Sequence, residues 1–107
     1  MRLSYAIKFV SDMDQAVRFY RDKLGLSLKF QSPSWTEFAT GETTLALHPA
    51  STDNPAGSVQ LGLSIEDLES FHSEAQVKGI SFTSPPRDVH GATIARFLDL
   101  DGSELSI

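Results

Sequence analysis

Tyr5-Ala6-Ile7-Lys8-Phe9-Val10-Ser11-Asp12-Met13-Asp14, continuing through Gln15 as Ala16-Val17-Arg18-Phe19-Tyr20-Arg21-Asp22-Lys23-Leu24-Gly25-Leu26, decides the reading of this chain. Leu3 to Val10 alternates loosely and is rich in β-branched and aromatic residues, which predicts a strand ended by the Ser11-Asp12 turn. A helix comes next. Asp12 can accept from its first free backbone N–H groups while Gln15, three residues on, reaches back. Met13, Ala16, Val17, Tyr20 and Leu24 recur at helical spacing, and Gly25 supplies the left-handed stop.

Downstream the periodicity shortens to extended segments at Leu26 to Gln31, Trp35 to Thr40 and Thr43 to His48, with turns at Ser32-Pro33-Ser34 and Gly41-Glu42. Pro49 to Gly57 carries turn formers and no periodic apolar residue, so it reads as a surface connection. Then the order repeats. Val59 to Ile65 is a strand, Asp67 caps a helix with the stripe Leu68, Phe71 and Ala75, and Gly79 ends it. Ile80 to Ser84, Ala92 to Leu98 and Glu104 to Ile107 are the closing strands. Adding 55 carries Tyr5 to Gln60 and Asp12 to Asp67, and adding 60 carries Leu45-Ala46-Leu47 to Leu105-Ser106-Ile107. Two copies of one βαβββ unit explain this. The expectation is an α+β fold in a single domain, with helices near 13–24 and 68–78, unit one at 1–48, a linker at 49–57 and unit two at 58–107.

Of 107 residues, 40% are hydrophobic and 21% charged, the balance of an ordinary globular domain. The net charge of −5, from 14 acidic and 9 basic residues with no basic cluster, argues against a nucleic-acid partner. No apolar run approaches a membrane span and the start lacks a secretory pattern, which points away from a membrane partner and towards the cytoplasm. The absence of cysteine excludes disulfides, thiolate ligands and cysteine nucleophiles. No phosphate loop, dinucleotide fingerprint or Ser-His-Asp order is present.

The opening stretch resembles the signature of the glyoxalase, bleomycin-resistance and extradiol-dioxygenase superfamily, in which an acidic turn precedes a helix with a Phe-Tyr pair and a Leu-Gly-Leu stop. Arg96-Phe97-Leu98-Asp99-Leu100-Asp101-Gly102-Ser103-Glu104-Leu105 resembles its second hallmark, an Asp-Pro-Asp-Gly turn, with Leu100 in place of proline. The resemblance implies two tandem βαβββ units forming a curved mixed sheet around a cleft. It also implies that metalloenzyme members draw one ligand from the first and one from the last strand of each unit, usually His and Glu. Carried over, those positions are Tyr5, Ala46, Gln60 and Ser106. None is a good metal ligand, and a strand slip of one residue does not rescue the set. The expectation is therefore no metal and no other cofactor.

Other residues remain as candidates for contact with a ligand. His48 lies two residues beyond Ala46, on the same strand face, and is either an acid, base or donor in the cleft or a strand-end histidine in water. Tyr5, Gln60 and Ser106 would line the cleft floor with hydroxyl and amide groups. Arg96 suits a ligand anion or an ion pair with an acidic neighbour such as Glu37. Trp35 shares a face with Glu37 and is either a stacking wall or core. His72 reads as a boundary residue and His90 as part of an Arg87-to-Gly91 loop. The sequence thus points to a metal-independent protein that binds an unidentified small molecule, with sequestration or sensing as its role and a homodimer as its state. The alternatives are a metal-dependent lyase, isomerase or dioxygenase of the same superfamily, and a module that only dimerises.

Overall fold

The computed structural model describes residues 1–89 and 91–107. In chain order the elements are β1 (Arg2–Val10), α1 (Met13–Arg18), a π-helical turn (Phe19–Lys23), β2 (Ser27–Gln31), β3 (Thr36–Ala39) and β4 (Thr44–Pro49). After them come β5 (Val59–Ser64), α2 (Leu68–Val77), β6 (Phe82–Val89), β7 (Ala92–Leu98) and β8 (Glu104–Ser106). Two compact units result, Ser4–Val59 and Gln60–Ile107, the latter together with Met1–Leu3. Among the described residues no helix is long and apolar enough to cross a membrane.

The first unit orders its strands β2-β3-β4-β1 and the second β6-β7-β8-β5. In each, the first and last strands pair in parallel and the other pairings are antiparallel. Side-chain alternation sends one face of each sheet to the unit's own helix. In the first unit Val17, Phe38 and Leu47 are buried there against Met13, Ala16 and Tyr20. In the second, Ala95, Phe97 and Ile107 are buried against Leu68 and Phe71. The opposite faces are free of the unit's own helix and carry the candidate residues.

Asp12 and Asp67 both cap their helices through their carboxylates. Asp12 Oδ1 accepts from the Gln15 N–H at 2.9 Å, and Asp67 accepts from the Ser70 N–H at 3.0 Å and from its hydroxyl at 2.9 Å. These bonds to Ser70 hold the Asp67 carboxyl below its ordinary range. Gly25 and Gly79 take φ of +78° and +89°, the left-handed stops that a side chain would resist.

Three expectations are corrected. The first helix does not run as a single α-helix to residue 24, because Leu24 N–H bonds back to the Phe19 carbonyl and the last turn is π-helical. The extra residue in that turn rotates the chain beyond it, so Leu24 leaves the apolar stripe and is 56% exposed. The strand expected to stop at Ser84 starts at Phe82 and continues through Pro85 and Pro86 to Val89. Proline is tolerated because β6 is an edge strand with register shifts at 82/84 and 84/87. Arg87 to Val89 is accordingly strand and not loop, while His90 lies outside the described residues.

The segment between β4 and β5 is tied to the end of β1. Ala50 N–H bonds to the Val10 carbonyl at 2.8 Å, and Gly57 N–H to that of Phe9 at 2.9 Å. The Asp99 turn closes on its own side chain, which accepts from the Asp101 and Ser103 N–H groups at 3.0 and 2.9 Å. Leu100 projects into solvent there, so the missing proline leaves the turn intact.

Candidate functional site

On the helix-free face of the first unit, three of the candidate residues meet. Tyr5 and Trp35 contact edge to face with ring centroids 5.9 Å apart, and Trp35 contacts His48 at 6.3 Å. Phe9 approaches His48 at 5.4 Å. The register explains the gathering: Ile7 pairs with Ala46 and Phe9 with His48 across β1 and β4, while Glu37 pairs with Ala46 across β3 and β4. Residues of one parity therefore project together. The same pairing decides the faces of β3, since Phe38 and Thr36 point to the helix and Trp35 and Glu37 to the other side. Trp35 packs on the buried cluster of Ile7, Phe9 and Ala46.

Trp35 is fixed from two directions. Ser32 Oγ accepts its N–H at 3.0 Å and donates to its carbonyl at 2.9 Å, which sets the backbone. The indole Nε1–H donates to Glu37 Oε2 at 2.8 Å, which sets the ring. Glu37 is paired with Lys29 at 3.7 Å, so it is Lys29 and not Arg96 that neutralises it. Lys29 also donates to Thr44 Oγ1 at 3.4 Å. Burial, and secondarily the Glu37 carboxylate, pushes the Tyr5 phenol above its ordinary pKa. Removing that proton would place a second negative charge beside the first.

His48 is exposed at the end of β4, its Nδ1 2.8 Å from the Pro49 carbonyl oxygen. A carbonyl only accepts, so Nδ1 carries the proton. The other ring nitrogen, Nε2, makes no hydrogen bond among the described residues and is left for a ligand group.

The helix-free face of the second unit holds the other three candidates. Gln60 is buried at 7% exposure and donates from Nε2 to Glu104 Oε1 at 2.9 Å, leaving its carbonyl oxygen as an acceptor. Glu104 also accepts from Thr83 at 2.6 Å. Arg96 pairs in register with Ser106 on one side and Ser84 on the other. His72, the remaining histidine described, rests edge-on against Phe82 at 4.6 Å, on the helix side.

Lys29, Thr44 and Glu104 were not singled out by the sequence. Thr44 and Glu104 could have been, since each lies two residues before a position already identified on its strand, Ala46 and Ser106. Lys29 could not, because it sits in the register shift between Leu28 and Phe30, which alternation does not foresee.

The four positions at which metalloenzymes of this fold draw ligands do not fit a metal. Ala46 offers no donor and is fully buried among apolar side chains. The Tyr5 phenol is driven away from the phenolate that would be needed, and the Gln60 carbonyl oxygen and the Ser106 hydroxyl are neutral, weak donors. Among the described residues no group of three or more His, Cys, Asp or Glu could hold a metal ion.

The chain matches the model of the Glyoxalase/Bleomycin resistance protein/Dioxygenase superfamily over residues 2–107 and belongs to that family. It is similar to the uncharacterized protein YurT of Bacillus subtilis (strain 168), 28% identical over a 124-residue alignment that covers 100% of this chain and 98% of that protein. Among solved structures it resembles methylmalonyl-CoA epimerase from Mycobacterium tuberculosis, at TM-score 0.80 and 18% identity, over 97% of this chain and 84% of that one. A glyoxalase/bleomycin resistance protein/dioxygenase superfamily member from Vibrio splendidus 12B01 superposes at TM-score 0.66 and 18% identity, covering 98% and 94%. At such identities the structural likeness establishes the fold alone.

Proposed function

We propose that this protein binds small planar organic molecules without a metal, with Tyr5, Trp35 and His48 as the contact residues of the first unit's helix-free face and Gln60, Arg96 and Ser106 as those of the second unit's. The observation that carries the reading is the edge-to-face set of Tyr5, Trp35 and His48, with Trp35 held by Glu37. Preordered rings offer a flat ligand contact area at little cost in side-chain entropy, and a few directional polar groups orient it. Binding serves sequestration or sensing, in a cytoplasmic homodimer. Leu28 and Phe30, 37% and 53% exposed on the edge strand β2, are the apolar surface that favours a second copy.

Trp35 is the only tryptophan, so its fluorescence reports on this face directly. Titration with benzamide, indole and naphthalene derivatives after dialysis against EDTA should give saturable quenching with at least one compound. No saturable response to any of them would remove the reading. About one equivalent of transition metal in purified protein, lost on Gln60→Ala and Ser106→Ala, would replace it with the metal-dependent enzyme.

A further inference from the structure

One row of side chains crosses the helix-free face of the second unit in register: Ser84 on β6, Arg96 on β7, Ser106 on β8 and Gly62 on β5. Arg96 is half-buried there, with half-buried serines on either side. The ion pairs among the described residues are Arg21 with Asp22 and Lys29 with Glu37, so Arg96 has no carboxylate partner. Glu104 lies two residues from Ser106 on the same strand face, yet its oxygens accept from Gln60 and Thr83. A guanidinium drawn out of water without a counter-ion is costly unless something else supplies the charge.

The equivalent row of the first unit is filled. It reads Phe30, Glu37, Ala46 and Ile7, and its one charge is satisfied by Lys29 and Trp35. In the second unit the places of the phenylalanine, alanine and isoleucine are taken by serine, serine and glycine. Serine for phenylalanine and glycine for isoleucine are the smaller side chains, and the two serines bring hydroxyls, of which that of Ser84 makes a long bond of 3.4 Å to the Pro85 carbonyl.

We propose that Arg96, with Ser84 and Ser106, is an oxyanion subsite of the second unit that takes the carboxylate or phosphate of a ligand. The planar fork of a guanidinium matches two oxygens of such a group, and the flanking hydroxyls reach oxygens that the fork leaves. The assignment rests on the reading of the helix-free faces as ligand-binding, and names the chemistry that the second unit's face recognises.

Inorganic phosphate and sodium acetate are the probes, titrated separately into ¹⁵N-labelled protein at ionic strength held constant with sodium chloride. The Arg96 Nε–Hε and Ser106 amide resonances should shift saturably with at least one of them. Tighter binding of phosphate assigns a phosphorylated ligand, and equal or tighter binding of acetate a carboxylate. Followed at Ser106, Arg96→Gln should weaken the anion about tenfold or more, and Arg96→Lys should restore part of it. Arg96 holds no protein partner in place, so both variants should fold with unchanged thermal midpoints. Absence of a saturable shift with both anions, or undiminished binding by Arg96→Gln, overturns the subsite. Benzamide quenching of Trp35 separates the two readings: quenching without an anion response ends the subsite alone, and an anion response without quenching ends the aromatic reading alone.

Discussion

The two units are built alike on the helix side of their sheets and differently on the other. Ile7 pairs with Ala46 in the first unit and Gly62 with Ser106 in the second, which are the 55- and 60-residue offsets of the sequence recovered as strand register. Phe38 with Leu45 corresponds in the same way to Phe97 with Leu105, and each phenylalanine is buried beneath its unit's helix. On the helix-free side Glu37 corresponds to Arg96, a carboxylate opposite one last strand and a guanidinium opposite the other. Packing fixes residues that must exclude water, whereas a face turned from the helix is free to change its chemistry.

The largest effect expected is on the shared side of this comparison. Phe38→Ala should cost about 3–5 kcal/mol, because the ring is fully buried between Tyr20, Val17 and Leu47 and its cavity cannot collapse onto a rigid sheet. Phe97→Ala should cost less, since that ring is 9% exposed and Phe71 and Phe82 can close on the space. Urea midpoints of the two variants measure the difference. Equal losses, or a larger one at Phe97, would show that the two helix-side cores are not balanced as their burial indicates.

A smaller effect should separate the two caps. Asp67 accepts from both the N–H and the hydroxyl of Ser70, whereas Asp12 accepts from the Gln15 N–H. Asp67→Ala should therefore lower the thermal midpoint at pH 7 more than Asp12→Ala does. The Asp67 pKa is lowered on folding, so its stabilisation is present above the unfolded value near 3.8 and lost as pH falls through the folded one. The two variants should converge in acid, and a gap that persists there would assign the difference to something other than the carboxylate.

What the sequence disclosed divides along the same line as the comparison. Caps, glycine stops, the repeat and the helix-side stripes were legible because each is a local pattern with one physical solution. The π-helical turn was not, since nothing in Phe19 to Lys23 distinguishes an i+4 from an i+5 bond. Pro85 and Pro86 misled because they end a central strand, and only sheet order reveals β6 as an edge. Period-2 alternation put Trp35 with Glu37 and His48 with Ala46 along their own strands, but which face of β3 joins Tyr5 and His48 depends on the β1–β4 and β3–β4 registers. The Lys29 to Glu37 ion pair depends on a bulge.

Alkaline titration sharpens the first unit's side. The folded pKa of Tyr5 is raised, so the folded state holds the phenolic proton more tightly than the unfolded chain. Its contribution is complete below the unfolded value near 10 and is lost as pH rises from there through the folded value. Wild type should lose thermal stability above that pH more steeply than Tyr5→Phe. Parallel losses in the two proteins would show that the half-buried Tyr5 phenol is not the group responsible.

The smallest effect tests the second unit's side. Glu104→Gln removes a negative charge two residues from Ser106, which is itself opposite Arg96. The amide retains an oxygen for the Gln60 donor, and the Thr83 hydroxyl can turn to accept from its NH₂ group, so the network survives. Diagonal neighbours in a sheet stand about 7 Å apart, where one charge in a mostly aqueous surrounding is worth about 0.5–1 kcal/mol. Phosphate or acetate should therefore bind about two- to fivefold tighter to Glu104→Gln than to wild type, and the gain should shrink as sodium chloride rises towards about 1 M. Weaker binding would have the opposite meaning, that Glu104 orients Arg96, and the carboxylate and guanidinium would then have to be treated as one unit.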